Sequence, residues 1–542
     1  MTNLRKFLLT TLLLASVALV PWLSADGPSP STYAEGFVHV AHQEKEANKP
    51  TQVYFGVTAC TGCHDNKISK QDNFLCACNE VEIWKKDKHK NANRVLKGKL
   101  GQQMARLLPE IKGDISQAKE CISCHGVLVE DSKLIVTEEP GKFNLEEGVS
   151  CVACHGPFQE WVKEHTDIMF PNGGKWRELP RHVKEKQYGM KDLWDPENQA
   201  TLCASCHIGN TAEKKVVTHA MYAAGHPPLP GFELSTFSDA MPRHWNTFDQ
   251  KWKYVVDKNL AEKSPKLVKA LQKVTGRDAD DKNLERTRLV VIAGVVNFRE
   301  SLKLIGSQAA VVDNEKKSTW PELAQFDCYA CHHDLKTFAK SWRQERGYGG
   351  VRPGRPTMRP WPTVMIEAGI LQASRTEPGN AKEFRKKLSA EFSARMKELS
   401  GVFHDQPFGD PQRISRAAHN MEIWTDGLLA RLKASQFDRA AGRDIVNVFG
   451  KQSTRLLDFD SARELTWAFR SIQDELDAGF TKEHLQIFDE LDKQLKLGLA
   501  PEGKEIAGDY LRESLEKLSN FEPQQFSKTF GQLIQSAEKP LK

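Results

Sequence analysis

Residues 148–165 read GVSCVACHGPFQEWVKEH: two cysteines three apart, a histidine directly after the second, and another histidine ten residues on. The first half of that stretch recurs. Cys60-Thr-Gly-Cys63-His64, Cys121-Ile-Ser-Cys124-His125, Cys151-Val-Ala-Cys154-His155, Cys203-Ala-Ser-Cys206-His207 and Cys328-Tyr-Ala-Cys331-His332 all carry C-x-x-C-H. With 12 cysteines and 17 histidines in 542 residues, chance supplies on the order of 0.01 copies of that pattern. Five copies therefore mark a shared chemistry.

The spacing suits covalent haem. Two thiols add across the two vinyl groups of one porphyrin, and the histidine that follows reaches the face of the ring as proximal iron ligand. Zinc explains a C-x-x-C pair but not a histidine after every one, and a structural zinc needs two such pairs. A redox dithiol would occur once and in a βαβ setting. The sequence thus predicts five covalently attached c-type haems, held by the ten motif cysteines, with His64, His125, His155, His207 and His332 as proximal ligands.

The N-terminus predicts export. Arg5 and Lys6 precede an apolar run from Phe7 to Val20 and a small-residue end at Ser24-Ala25, the three parts of a signal peptide. Pro21 and the Ala25 end favour cleavage over an uncleaved anchor. Residues 1–25 are read as signal peptide, which places the mature chain in the periplasm or otherwise outside the cytoplasm, with no stable membrane span after cleavage. Two of the formal +5 charges leave with it. The resulting +3 is no footprint for nucleic acid, so the expected partners are redox proteins.

Far-side ligands decide between electron transfer and substrate chemistry. Between residues 26 and 362, nine histidines lie outside the motifs: His39, His42, His89, His165, His182, His219, His226, His244 and His333. That supply permits two histidines on every iron. His89, His165, His219 and His226 are the candidate distal ligands. His89 sits in a stretch read as helix, with Ile83, Trp84 and Leu96 able to pack on porphyrin. His333 directly follows a proximal ligand and is poorly placed to reach the other face. Met221 and Met241 are competing ligands of softer character.

The order CTGCH, Trp84-x-x-x-x-His89-x-x-Ala92, CISCHG, GVSCVACHGP with His165, and CASCHI resembles the tetrahaem cytochrome c of ammonia-oxidising bacteria, over about residues 56–210. That family carries electrons away from hydroxylamine oxidation. The resemblance implies that His165 serves the first haem and His89 the third, and that the second haem, at His125, lacks a strong sixth ligand. For the fourth haem the local candidates are His219 or His226. Cys76 and Cys78 fit no attachment site; a local disulfide or buried thiol pair and a thiolate ligand both stay open for them.

Asp195-Pro196-Glu197 predicts a helix start running into Cys203, and Trp320-Pro321-Glu322-Leu323 the same ahead of Cys328. Residues 255–305 read as helix, apolar from Leu284 to Phe298. VRPGRPTMRPWP, 351–362, punctuates the chain as a boundary, and its Arg352, Arg355 and Arg359 suit haem propionates or a plain linker. Beyond it there is no cysteine. AKEFRKKLSAEFSARMKELSGVF and the segment opening at Asp410-Pro411 have helical spacing, and tandem segments of this kind predict an antiparallel bundle. His404, His419 and His484 there read as ordinary residues, with His419 a minor candidate for the fifth haem.

The expected architecture is mainly α, a multihaem cytochrome c with little regular sheet plus a C-terminal helical bundle: signal peptide 1–25, pentahaem region 26–362, bundle 363–542. The expected function is electron transfer through closely packed haems. The alternative is an oxidoreductase acting on a nitrogen oxide or hydroxylamine at one open haem. No residue is singled out as catalytic.

Overall fold

The long apolar segment before the fifth motif becomes the Glu285–Ala309 helix, 25 residues and roughly 37 Å long. Val290, Val291, Ile292, Val295, Val296 and Phe298 are all buried. A helix apolar on every side must be covered on every side. The Pro411–Ala434 helix, the haem-motif helix Pro196–His207, and the helices Phe459–Asp477 and Ile366–Ser374 pack around it. Gly294 allows the closest approach: a Cβ there would stand 2.3 Å from Cβ of Met365.

The computed structural model describes residues 52–65, 79–157, 159–166, 176, 179–275, 277, 281–310, 318–333, 355–377, 379–499 and 510–537. The signal segment, His39, His42, Cys76, Cys78 and Arg352 lie outside the described residues. Among the described residues the chain is helical with no strand; three isolated bridges, Tyr54 with Ile135, Asn210 with Lys215 and Phe326 with Met358, are the β-type pairings. The mainly α expectation holds. No helix among the described residues is long and apolar enough to cross a membrane.

The two halves of the chain are built differently. Before residue 248 no described helix exceeds the 12 residues of Pro196–His207. The apolar clusters there are small, one joining Leu96, Met104, Ile115, Cys121 and Met221, another Val127, Val152, Trp161 and Trp176. From Ala381 onward most of the helices are longer and amphipathic, including Ala381–His404, Pro411–Ala434 and Arg439–Ser453. Their starts are capped as the sequence suggests: the Asp410 carboxylate accepts from the Arg413 amide, and Asp438 from Ala441. One large apolar core takes residues from Ala200 to Leu533 and so includes both sides of residue 362. Within it, Met358 and Trp361 are buried, so the described end of the Pro/Arg segment is core rather than exposed linker.

Three expected helices differ. The stretch around His89 is broken: Glu80–Trp84 ends, and the Asp87 carboxylate caps a separate 3-10 turn, Lys88–Asn91. Residues 255–305 form four pieces, Phe248–Asp257, Leu260–Lys263, Pro265–Thr275 and Glu285–Ala309. Ahead of Cys328, Glu322 and Asp327 each cap a three-residue 3-10 turn, Leu323–Gln325 and Cys328–Ala330, instead of one helix. Ahead of His89 and of Cys328 acidic caps satisfy the backbone locally and stop propagation, and after Asp257 the left-handed Asn259 separates two helices.

Candidate metal centres

Four of the five motifs form the last turn of a short helix: Thr58–His64, Lys119–His125, Cys151–His155 and Pro196–His207. The last is longest because Asp195 caps it, its carboxylate accepting from the amides of Glu197 and Asn198, with Pro196 at the first position. This start is as the sequence predicts. The fifth motif sits on the 3-10 turn Cys328–Ala330, and His332 follows it. No disulfide joins the ten described cysteines.

Each motif histidine faces a second histidine from elsewhere in the chain. Ring centroids are 6.5 Å apart for His64 and His165, 6.4 Å for His89 and His207, and 6.3 Å for His125 and His226. They are 6.3 Å apart for His155 and His244 and for His219 and His332. Two imidazoles bound to one metal, with nitrogen–metal bonds of about 2.0 Å and a ring radius of roughly 1.1 Å, have centroids about 6.2 Å apart. The five spacings fit that requirement, and rings in direct van der Waals contact would be closer.

The hydrogen bonds point the same way. Nδ1 of His64 lies 2.8 Å from Oε2 of Glu80, and Nδ1 of His89 lies 3.1 Å from Oδ1 of Asp87. Nδ1 of His125, His165 and His226 lies 2.8 Å from the carbonyls of Ala92, Val162 and Pro227. Donation from Nδ1 fixes the tautomer whose Nε2 lone pair faces outward, toward the opposite ring. Burial lowers the pKa of His155, His207 and His226 to about 4, and it also lowers His125, His165, His244 and His332. Neutral imidazole is the form that binds a metal. His64 and His89 are raised instead. For His64 the Glu80 hydrogen bond leads; for His89 burial works downward, but the hydrogen bond and charge of Asp87 outweigh it.

The cysteine pairs complete a donor set for covalent haem: two thiols three residues apart, a neutral histidine beside them and a second one across a gap of iron-binding width. Residues 59–156 match the family model for cytochrome c554 and c-prime. The match supports a c-type cytochrome, with covalently bound haem and a part in electron transfer. No curated protein and no solved structure matches the chain.

The partners of several histidines differ from those the resemblance implied. His165 does stand opposite His64 of the first motif. His89, however, faces His207 of the fourth motif, and His244 takes the position opposite His155 of the third. His226 faces His125 of the second motif, where an unfilled position was implied. His219 faces His332 of the fifth. His419 is exposed and lies 3.3 Å from Glu422, His182 is exposed, and His333 stacks obliquely near Tyr329. Met221 is packed in an apolar cluster with Cys121. His244, which the sequence lists without singling out, is braced edge-on by Trp245.

The motifs also touch one another in an order unlike their order in the chain. The thiols of Cys60 and Cys151 stand side by side, linking motifs one and three. Cys154 stands near Cys203 and Cys206, linking three and four. Cys124 and Cys206 are likewise neighbours, linking two and four. His219 and His226, seven residues apart on and just beyond the His219–Ala224 helix, face motifs five and two.

Proposed function

We propose that the chain is an exported pentahaem c-type cytochrome that carries electrons along a line of five haems, each held between two histidines. Bound haem supplies a one-electron ferric–ferrous couple whose potential its axial ligands and surroundings set. The proximal ligands are His64, His125, His155, His207 and His332; opposite them stand His165, His226, His244, His89 and His219. The observation that carries the reading is the set of five histidine pairs at 6.3–6.5 Å.

The residues around each pair support a carrier. Trp161 lies edge-on to His165, Phe232 stacks on His207 at 4.6 Å, and Phe237 meets the same ring edge-on. Rings held so do not reorient between oxidation states, which keeps reorganisation small. The contacts between motifs support an order of one, three, four, two, five. Small-molecule chemistry on a nitrogen oxide or hydroxylamine needs an open iron, and the position opposite His125, the candidate for it, faces His226.

Low-temperature EPR of the ferric protein, matured in a c-type-competent periplasm, tests the reading, with haem content measured on the same sample. Five haems per chain, low-spin signals alone and no change on adding nitric oxide are expected. A high-spin signal abolished by nitric oxide would replace the carrier by a catalyst.

A further inference from the structure

Between the fourth and fifth motifs lies a group of carboxyl groups that electron carriage through histidine-bound iron does not require. Glu464, on the Phe459–Asp477 helix, is 1 % exposed, and its Oε2 has no hydrogen-bond partner. It faces Glu233, Asp458 and Asp460, and Asp327 faces Asp458 in turn. Glu233 follows Phe232, which stacks on His207. Asp327, Asp458 and Asp460 line one cavity together with Cys328 and Arg359.

Among the described residues, Arg359 and Arg463 stand beside Asp460 and Arg286 beside Glu233, and the charges that Glu464 faces are all carboxylates. Arg286 is already bound to Asp239 and Asp474. Neighbouring carboxylates out of water cannot all ionise, so the group retains at least one proton at neutral pH and titrates as a unit. Burial, first, and the other carboxylates push the Glu464 carboxyl well up, and burial raises Asp458 to about 7.

Resting on the five-haem reading, we propose that the Glu464 group is a proton-binding site coupled to the fifth haem: when an electron reaches the iron at His332, the group takes one proton from solvent. One electron converts ferric to ferrous iron, one proton adds to a carboxylate oxygen, and no other bond changes. The added negative charge beside Cys328 raises the proton affinity of the group. By linkage, the bound proton raises the potential of that haem by the same free energy. Asp458 and Asp460, on the cavity wall, are the route by which the proton enters.

The test is spectroelectrochemical titration of the full holoprotein between about pH 6 and pH 9, with dithionite as reductant. One of the five components is expected to fall in potential as pH rises, and Glu464→Gln is expected to flatten that component alone. His219→Ala identifies it, because the pH-dependent component must be the one this change displaces. Redox difference infrared spectra of the wild-type chain give a measurement independent of any variant: a protonated-carboxyl band should gain intensity on reduction. Five pH-independent components, a slope unchanged in Glu464→Gln, or a slope on another haem overturns the proposal while leaving the carrier reading intact. Absence of five redox components would instead remove the reading beneath it.

Discussion

His219 and His332 stand ring to ring, centroids 6.3 Å apart and planes within 22° of each other, although the whole Glu285–Ala309 helix lies between them in the chain. The amide of His219 donates to the Glu322 carboxylate, which also accepts from Ala324. One acidic side chain thus ties the far-side histidine to the loop that carries the fifth motif.

That pairing predicts a specific lesion. His219→Ala should leave one iron of five with a single strong ligand, adding one high-spin ferric signal and binding about one nitric oxide per chain. His419→Ala should change neither, because His419 is exposed beside Glu422. EPR of both variants decides it; a wild-type spectrum from His219→Ala would break the assignment.

His226→Ala makes a parallel prediction at the second motif. With Nδ1 of His226 held by the Pro227 carbonyl, Nε2 is aimed at His125. Removing the ring should open that iron to nitric oxide or hydroxylamine while four haems stay low-spin. Nitric oxide binding of equal strength in wild type and variant would show that His226 never closed the site.

The five C-x-x-C-H motifs were legible because each is a pattern within five residues, and no tertiary contact is needed to read it. The same holds for the Asp195 and Asp410 caps, which are local hydrogen bonds. The far-side histidines were not legible in pairs. His219 and His226 are seven residues apart yet face different motifs, and His89 and His244 reach across long stretches of chain to the fourth and third. Only the tertiary fold decides such pairings. Trp320-Pro321 misled for a related reason: it has the composition of a helix start, but Glu322 and Asp327 spend their caps on two short turns.

Arg299 is the hinge of the contact between the fourth motif and the later helices. It is 7 % exposed and binds Glu197 on the motif helix, Glu300 beside it and Asp426 on the Pro411–Ala434 helix. Arg299→Met leaves Glu300, 8 % exposed, with Lys303 at 3.1 Å as its remaining cation, at an expected cost of about 1–3 kcal/mol. Arg299→Met with Glu300→Leu should recover part of the loss, since the less compensated buried charge is gone. Urea unfolding followed by circular dichroism compares the two; a double variant no better than the single would mean that packing, not charge, dominates.

Asp458 makes the stability of this region depend on pH. It caps the Phe459–Asp477 helix, accepting from the Ser461 amide, yet burial raises its pKa from 3.8 to about 7. The folded state therefore holds this proton more tightly than the unfolded state. Between the unfolded and folded pKa values the native state binds more protons, so stability falls as pH rises from about 4 to about 7 and is level above that. Asn caps nearly as well as Asp but carries no charge into the core. Asp458→Asn should thus gain on wild type by about 2–3 kcal/mol between about pH 5 and about pH 8. Urea midpoints at the two pH values measure the gap, and a gap that stays constant would mean that Asp458 is ionised in the fold throughout.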